Sequence, residues 1–163
     1  MSMRMIVVFS FLTLLSVSCA SKKAENKSDN VADSSLDKNG LMLNGDSDSG
    51  KAGGLKTIYF DYTSSTINES NKKVLKNNAE FLKNHAAVAI AIEGHCDERG
   101  GRQFNLALGE KRALAVKNYL VALGVPKKRL STISYGNEKP VTEGRSEMEW
   151  SKNRRGNFVV TSM

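Results

Sequence analysis

The feature that most constrains this chain is the apolar run VAIAIEG (Val88–Gly94), which stops on glycine and leads through a short loop into a long helical pattern. An apolar segment of strand length followed by an amphipathic helix must bury both apolar faces against each other, which points to layered α/β architecture. The helical pattern runs from about Gln103 to Leu123, with Leu106, Ala113, Val116, Leu120 and Leu123 as its stripe and Gly109 in the slot between the first two. Gly124 and Pro126 follow in the order expected at a helix C-terminus.

The flanking segments extend this unit. KTIYFDY alternates and is rich in β-formers, which predicts a strand ending near Asp61. Between Glu69 and Asn84, the spacing of Val74, Leu75, Phe81 and Leu82 places them on one helical face. STISYG (Ser131–Gly136) reads as a third strand, a short helical piece spans about Ser146–Asn153, and NFVVTS closes the pattern as a strand. The order β-α-β-α-β-(α)-β predicts an α/β (α+β) two-layer sandwich, with two main helices packed on one mixed four-stranded sheet.

The residues ahead of this domain differ in kind. Met1–Ser18 has a short n-region with Arg4, about thirteen mostly apolar residues and then small residues. That is the pattern of a bacterial export signal, and the apolar run is short for a membrane span. The stretch LLSVSC resembles a lipoprotein signal in which Cys19 becomes the lipid-modified first residue, although Ser16 stands where such signals carry Leu. Acyl chains contribute about 0.8 kcal/mol per buried methylene, so two or three anchor stably. In the same resemblance, Ala20 after the cysteine favours an outer membrane. Residues 20–54 are dominated by Ser, Asp, Asn, Lys and Gly, with LML as the one apolar cluster. Such a composition cannot offset its ordering entropy, which predicts a flexible tether over 19–54 and a folded domain over 55–163.

The formal charge of +7 is concentrated in the domain, because the first 54 residues nearly cancel. A basic domain fits an anionic partner such as nucleic acid, an anionic lipid surface or an acidic polymer. The two cysteines, Cys19 and Cys96, lie in very different surroundings, and a bridge between them is not expected.

The loop after the apolar run, HCDERGGR, crowds His95, Cys96, Asp97 and Glu98 together. A metal site wants three or four ligands at conventional spacing. The other histidine, His85, falls at the end of the first helix, and no second cysteine is near, so no metal is expected. Nucleophilic catalysis by Cys96 would need a paired base, and adjacent His95 points the other way on a strand. Charge alone remains. Asp97 in the loop and Arg112 on the following helix form an opposite-charge pair. Two readings stand level: an ordinary ion pair, or a clamp in which Asp97 takes an ammonium and Arg112 takes a carboxylate bidentately.

Five segments, IYFDY, EGHCDERGGRQFN, LGEKRALAVKNYLVALGV, ISYGNEKP and KNRRGNF, together resemble the OmpA-like peptidoglycan-binding family over about residues 57–160. The lipoprotein signal and polar tether place the resemblance closest to its lipid-anchored branch, the peptidoglycan-associated lipoproteins. The resemblance implies a non-enzymatic protein that binds the peptidoglycan stem peptide non-covalently through the zwitterionic end of meso-diaminopimelate. It places the key aspartate on Asp97, the key arginine on Arg112 and the junction asparagine on Asn105. It puts Phe60 and Asp61 at the pocket and makes Arg154 of the NRR motif a contributor. It also implies an outer-membrane anchor at Cys19, association with TolB and other Tol proteins, no nucleic-acid partner, no metal and no cofactor. Two departures from the family pattern are Cys96, where alanine or threonine is usual, and Gly109, where serine is common. A membrane stator of the MotB type and a metal-dependent wall hydrolase using His95 and Asp97 are the rival readings. Met5–Val17 holds no acidic residue and is short for a span, which argues against the stator.

Overall fold

The protein's structure, a computed structural model, describes residues 40–163. The export signal, Cys19 and the first part of the expected tether lie outside the described residues. The elements are β1 (Ile58–Tyr59), α1 (Glu69–Asn84), β2 (Ala89–His95), α2 (Arg102–Ala122), a 3-10 turn (Lys127–Arg129), β3 (Leu130–Gly136), α3 (Glu147–Asn153) and β4 (Arg155–Ser162). The sheet order is β1-β4-β2-β3, with β2 and β3 parallel and β4 antiparallel to both of its neighbours. This is the mixed four-stranded sheet and helical layer expected from the sequence.

One apolar core joins the layers. Leu75, Ala79 and Leu82 of α1 and Ala113, Val116 and Leu120 of α2 pack with Ile90 and Ile92 of β2 and Phe158 and Val160 of β4. The helix ends follow from local chemistry. Asn68 caps α1 by accepting the Asn71 N–H at 2.9 Å. After α2, Gly124 adopts φ +92° and the Val125 N–H reaches Leu120 O at 3.0 Å, a Schellman ending. The guanidinium of Arg129 then ties the C-terminus of α1 to the start of β2, donating to the carbonyls of Leu82, His85 and Val88 at 2.7 Å each.

The expected tether is corrected at its C-terminal end, because residues 40–54 belong to the folded unit. β1 is only two residues long and pairs with Arg155 and Gly156, leaving the rest of that edge of β4 open. The polar segment fills it: Asn44 N–H donates to Val160 O, Val160 N–H to Gly45 O and Ser47 N–H to Phe158 O, each at 2.9 Å. An exposed row of strand N–H and C=O groups is costly and association-prone, so this pairing both satisfies and blunts the edge. Asp48 adds an ion pair with Arg155 at 2.6 Å, while Leu41, Ala52 and Leu55 are buried. Composition underestimates this segment because it is held mainly by backbone hydrogen bonds. The first strand is likewise shorter than KTIYFDY suggests, although Phe60 N–H still donates to Arg154 O at 2.8 Å.

Candidate functional site

The C-terminal end of β2 is where the chemistry gathers, and the close seating of α2 determines how. A Cβ placed on Gly94 would lie 1.8 Å from Gly109 O, so backbone meets backbone where β2 and α2 cross. This close approach, which no side chain could allow at Gly94, lays the first turns of α2 directly under the loop that carries Asp97.

Asp97 is 3 % exposed. Its Oδ1 accepts Arg99 N–H at 3.1 Å and Arg99 Nε at 3.2 Å. Its Oδ2 accepts Arg99 Nη2 at 2.7 Å and Arg154 Nη1 at 3.2 Å. Burial pushes this carboxyl up, but the hydrogen bonds from Arg99 and Arg154 outweigh it and hold it below the usual carboxylate range. Arg154 is itself buried and donates Nε to Phe60 O at 3.0 Å, and Glu147 pairs with its other end.

Arg112 is fully buried, and the expected direct pair with Asp97 is not formed; among the described residues the ion-pair partners of Asp97 are Arg99 and Arg154. Arg112 donates Nε to Ser64 O at 2.8 Å, Nη1 to His95 O at 2.7 Å and to Cys96 Sγ at 3.4 Å, and Nη2 to Asp61 O at 2.9 Å. Four of the five guanidinium hydrogens are therefore spent on the protein, and a bidentate grip on a ligand carboxylate would require releasing one of these bonds. The physical reason is burial: a desolvated guanidinium must satisfy its donors, and the carbonyls of the 61–64 loop and the end of β2 are what surround it. The ring of Phe60 lies under it, 5.1 Å from centroid to Cζ.

The remaining expected residues fall into two groups. Asn105 is buried and braces the loop, donating Nδ2 to Arg99 O at 3.0 Å. Phe60 and Asp61 serve through their carbonyls, while the carboxylate of Asp61 faces solvent. Tyr62, Thr63, Asp97, Arg99, Arg112 and Arg154 line a shallow depression of about 10 Å³, room for little more than one water. A neighbouring depression of about 250 Å³, with Glu98, Asn137, Thr142 and Glu143 among its walls, shares Cys96 with it.

His95 and Asp97 do not act as a pair. His95 is 1 % exposed, meets Glu93 Oε2 through Nε2 at 3.3 Å and stacks on Tyr135. A carboxylate only accepts, so Nε2 carries the hydrogen and Nδ1 is left as an acceptor without a partner. Burial holds this imidazole below its ordinary basicity, partly offset by Glu93. Among the described residues no group of three or more His, Cys, Asp or Glu side chains could hold a metal. Cys96 is a free thiol, buried, donating to Asn105 O at 3.3 Å.

Sequence reasoning missed Arg99. Its guanidinium lies 4.0 Å from the ring centroids of both Tyr62 and Trp150 while it holds Asp97. The available signal is its spacing, since a residue two positions after a loop aspartate can donate both its backbone N–H and its side chain back to the carboxylate.

The comparisons with known proteins identify the family to which this fold belongs. The OmpA family profile matches residues 59–154. The peptidoglycan-associated lipoprotein of Brucella melitensis is 41 % identical over 155 residues, covering 95 % of this chain and 90 % of the relative. That of Rhizobium meliloti is 47 % identical over 103 residues, covering 63 % and 58 % respectively. In structure, the peptidoglycan-associated lipoprotein from Burkholderia pseudomallei aligns with a TM-score of 0.62 at 41 % identity, over 64 % of this chain and 88 % of that one. The chain belongs to the OmpA family and, within it, to the peptidoglycan-associated lipoproteins. The C-terminal domain of Helicobacter pylori MotB also aligns, with a TM-score of 0.63 over 68 % of this chain and 87 % of that one, but at 24 % identity it shares the fold alone. Among the described residues no helix is long and apolar enough to cross a membrane.

Proposed function

We propose that this domain binds peptidoglycan non-covalently at the Asp97 depression, with the ammonium of a meso-diaminopimelate residue on Asp97 and its carboxylate beside Arg112. The observation that carries this reading is a buried carboxylate kept ionised among three arginines. Such a site carries excess positive charge, so a lone cation is disfavoured, whereas a zwitterion brings its own anion for Arg112. The remaining Nη2 hydrogen of Arg112 and the field of its charge receive that carboxylate. The neighbouring depression across Cys96 gives the rest of the stem peptide room to run.

On this reading the protein is a binder rather than an enzyme. A lipid on Cys19 holds it in the outer membrane, and the domain in the periplasm holds the wall, so the two envelope layers are tied together. Residues 40–54 belong to the domain, so the tether expected from the sequence is confined to residues 19–39, which lie outside the described residues. The family resemblance supports TolB and other Tol proteins as partners and a role in envelope integrity during division.

Co-sedimentation of the full-length protein with diaminopimelate-type sacculi tests the site. Wild type pellets with the wall, and Asp97→Asn stays in the supernatant while keeping its native circular dichroism. Pelleting of a folded Asp97→Asn at the wild-type level contradicts the assignment. Mass spectrometry of the mature N-terminus tests the anchor, since an unmodified Cys19 removes it.

A further inference from the structure

A carboxylate offers about four lone-pair positions, and in this structure all of those on Asp97 are taken. Arg99 supplies three donors, at 3.1, 3.2 and 2.7 Å, and Arg154 supplies the fourth at 3.2 Å. A ligand ammonium reaching this carboxylate must therefore replace a donor already present. Arg154 is poorly placed to leave, because it is buried and holds both Phe60 O and Glu147. The side chain of Arg99 is the outer one, 28 % exposed. Beyond Asp97 its guanidinium meets the faces of Tyr62 and Trp150 and, at 3.6 Å, the exposed carboxylate of Glu147.

We propose that the Arg99 side chain is an internal stand-in for the ligand's ammonium: it occupies Asp97 in the free protein and is displaced when the ligand binds. This rests on the reading of Asp97 as the ammonium site. Three observations carry it. The stand-in has the charge of the group it replaces. It lies at the mouth of the depression, not on its floor. Glu147 is already within reach as its place of rest once displaced. The arrangement keeps the lone pairs of a buried carboxylate filled when no wall is bound, since Arg154 and the Arg99 backbone N–H supply only two of its four donors. It also sets selectivity, because a weakly hydrogen-bonding amine cannot evict a guanidinium held through both Nε and Nη2, whereas an ammonium delivered with its own carboxylate can.

The test uses the full-length protein titrated with a synthetic stem peptide that ends in meso-diaminopimelate. Removing the competitor in Arg99→Met is expected to tighten binding about three- to fivefold, the scale of a partly exposed ion pair. Trp150 is the chain's single tryptophan, so loss of the guanidinium from its face is read as a fluorescence change on titrating wild type. That change is expected to shrink in Arg99→Met. Arg99→Lys, which retains a cation without the two-point grip of the guanidinium, is expected to bind with intermediate affinity and serves if Arg99→Met does not fold. Equal or weaker binding by folded Arg99→Met, or by Arg99→Lys, overturns the inference. Asp97→Asn keeps the two ideas apart. If it binds as wild type, the site reading itself falls. If it loses binding while Arg99→Met binds no better than wild type, the stand-in alone is wrong.

Discussion

The carboxylate of Asp97 lies 3.2 Å from Nη1 of Arg154, a residue fifty-seven positions further along the chain. Both are buried, so the pair fastens the end of α3 to the loop after β2 without help from solvent. Replacing Arg154 with Ala is expected to cost about 2–3 kcal/mol. That is just below the usual cost of breaking a buried pair, because Arg99 still holds the carboxylate. Urea unfolding at constant slope measures it, and an unchanged midpoint contradicts the pairing.

The backbone crossing of Gly94 and Gly109 makes an asymmetric prediction. Gly94→Ala drives a Cβ into a carbonyl that cannot move, at 1.8 Å, and is expected to cost about 3 kcal/mol or more. Gly109→Ala first meets the hydroxyl of Ser134 at 2.3 Å, which can rotate, and then Gly94 O at 2.7 Å. It also gains helix propensity, so a net cost of about 1–2 kcal/mol is expected. Denaturation midpoints of the two variants decide the order, and equal losses contradict it.

His95 gives stability a pH dependence of known sign. Burial holds its folded-state basicity below the unfolded value of about 6.5, so the unfolded chain takes up the proton first as pH falls. Its contribution is complete above about pH 6.5 and is lost as pH falls through the lower folded value. Glu93, Asp48, Arg155, Lys139 and Tyr135 are the ionisable neighbours around it. Burial pushes the Glu93 carboxyl up, but its hydrogen bonds from His95 and Asn157 hold it below the usual carboxylate range, so it loses its charge only at more acid pH. Between about pH 7.5 and about pH 5, wild type is expected to lose more stability than His95→Gln. Parallel losses in the two proteins would remove His95 from the account.

Cys96 is expected to behave as a packed polar group, not a reactive thiol. Burial pushes its pKa up, with Arg112 pulling it back only in part, so thiolate is scarce at neutral pH. A maleimide should label Cys96 slowly in the native protein and rapidly in denaturant, with the site confirmed by peptide mass spectrometry. Fast native labelling, or a Cys96-linked dimer on a non-reducing gel, contradicts this.

The strand and helix order was legible because its signals are local: VAIAIEG stops at glycine, and Gly124 with Pro126 ends α2. The loop aspartate was legible for the same reason, since it follows directly on a strand end. Less legible were features that depend on distant partners. Asn78 sits buried in α1 because it brackets the backbone of Lys56, accepting from its N–H and donating to its carbonyl at 2.9 Å each. No periodicity marks such a residue. The 40–54 segment reads as linker because its bonds are to the edge of β4. Arg112 does lie beside the loop that follows β2, but two of its donors go to carbonyls of a loop 48 and 51 residues upstream, a choice that spacing along α2 does not contain.

The central claim is that Asp97 holds a charged amine of the wall peptide, and chemical removal of that charge tests it most directly. Isothermal titration of the full-length protein compares a diaminopimelate stem peptide with the same peptide acetylated on its free amine. The account predicts binding of the amine form and loss of measurable binding for the acetylated form. Equal affinity for the two peptides would contradict it.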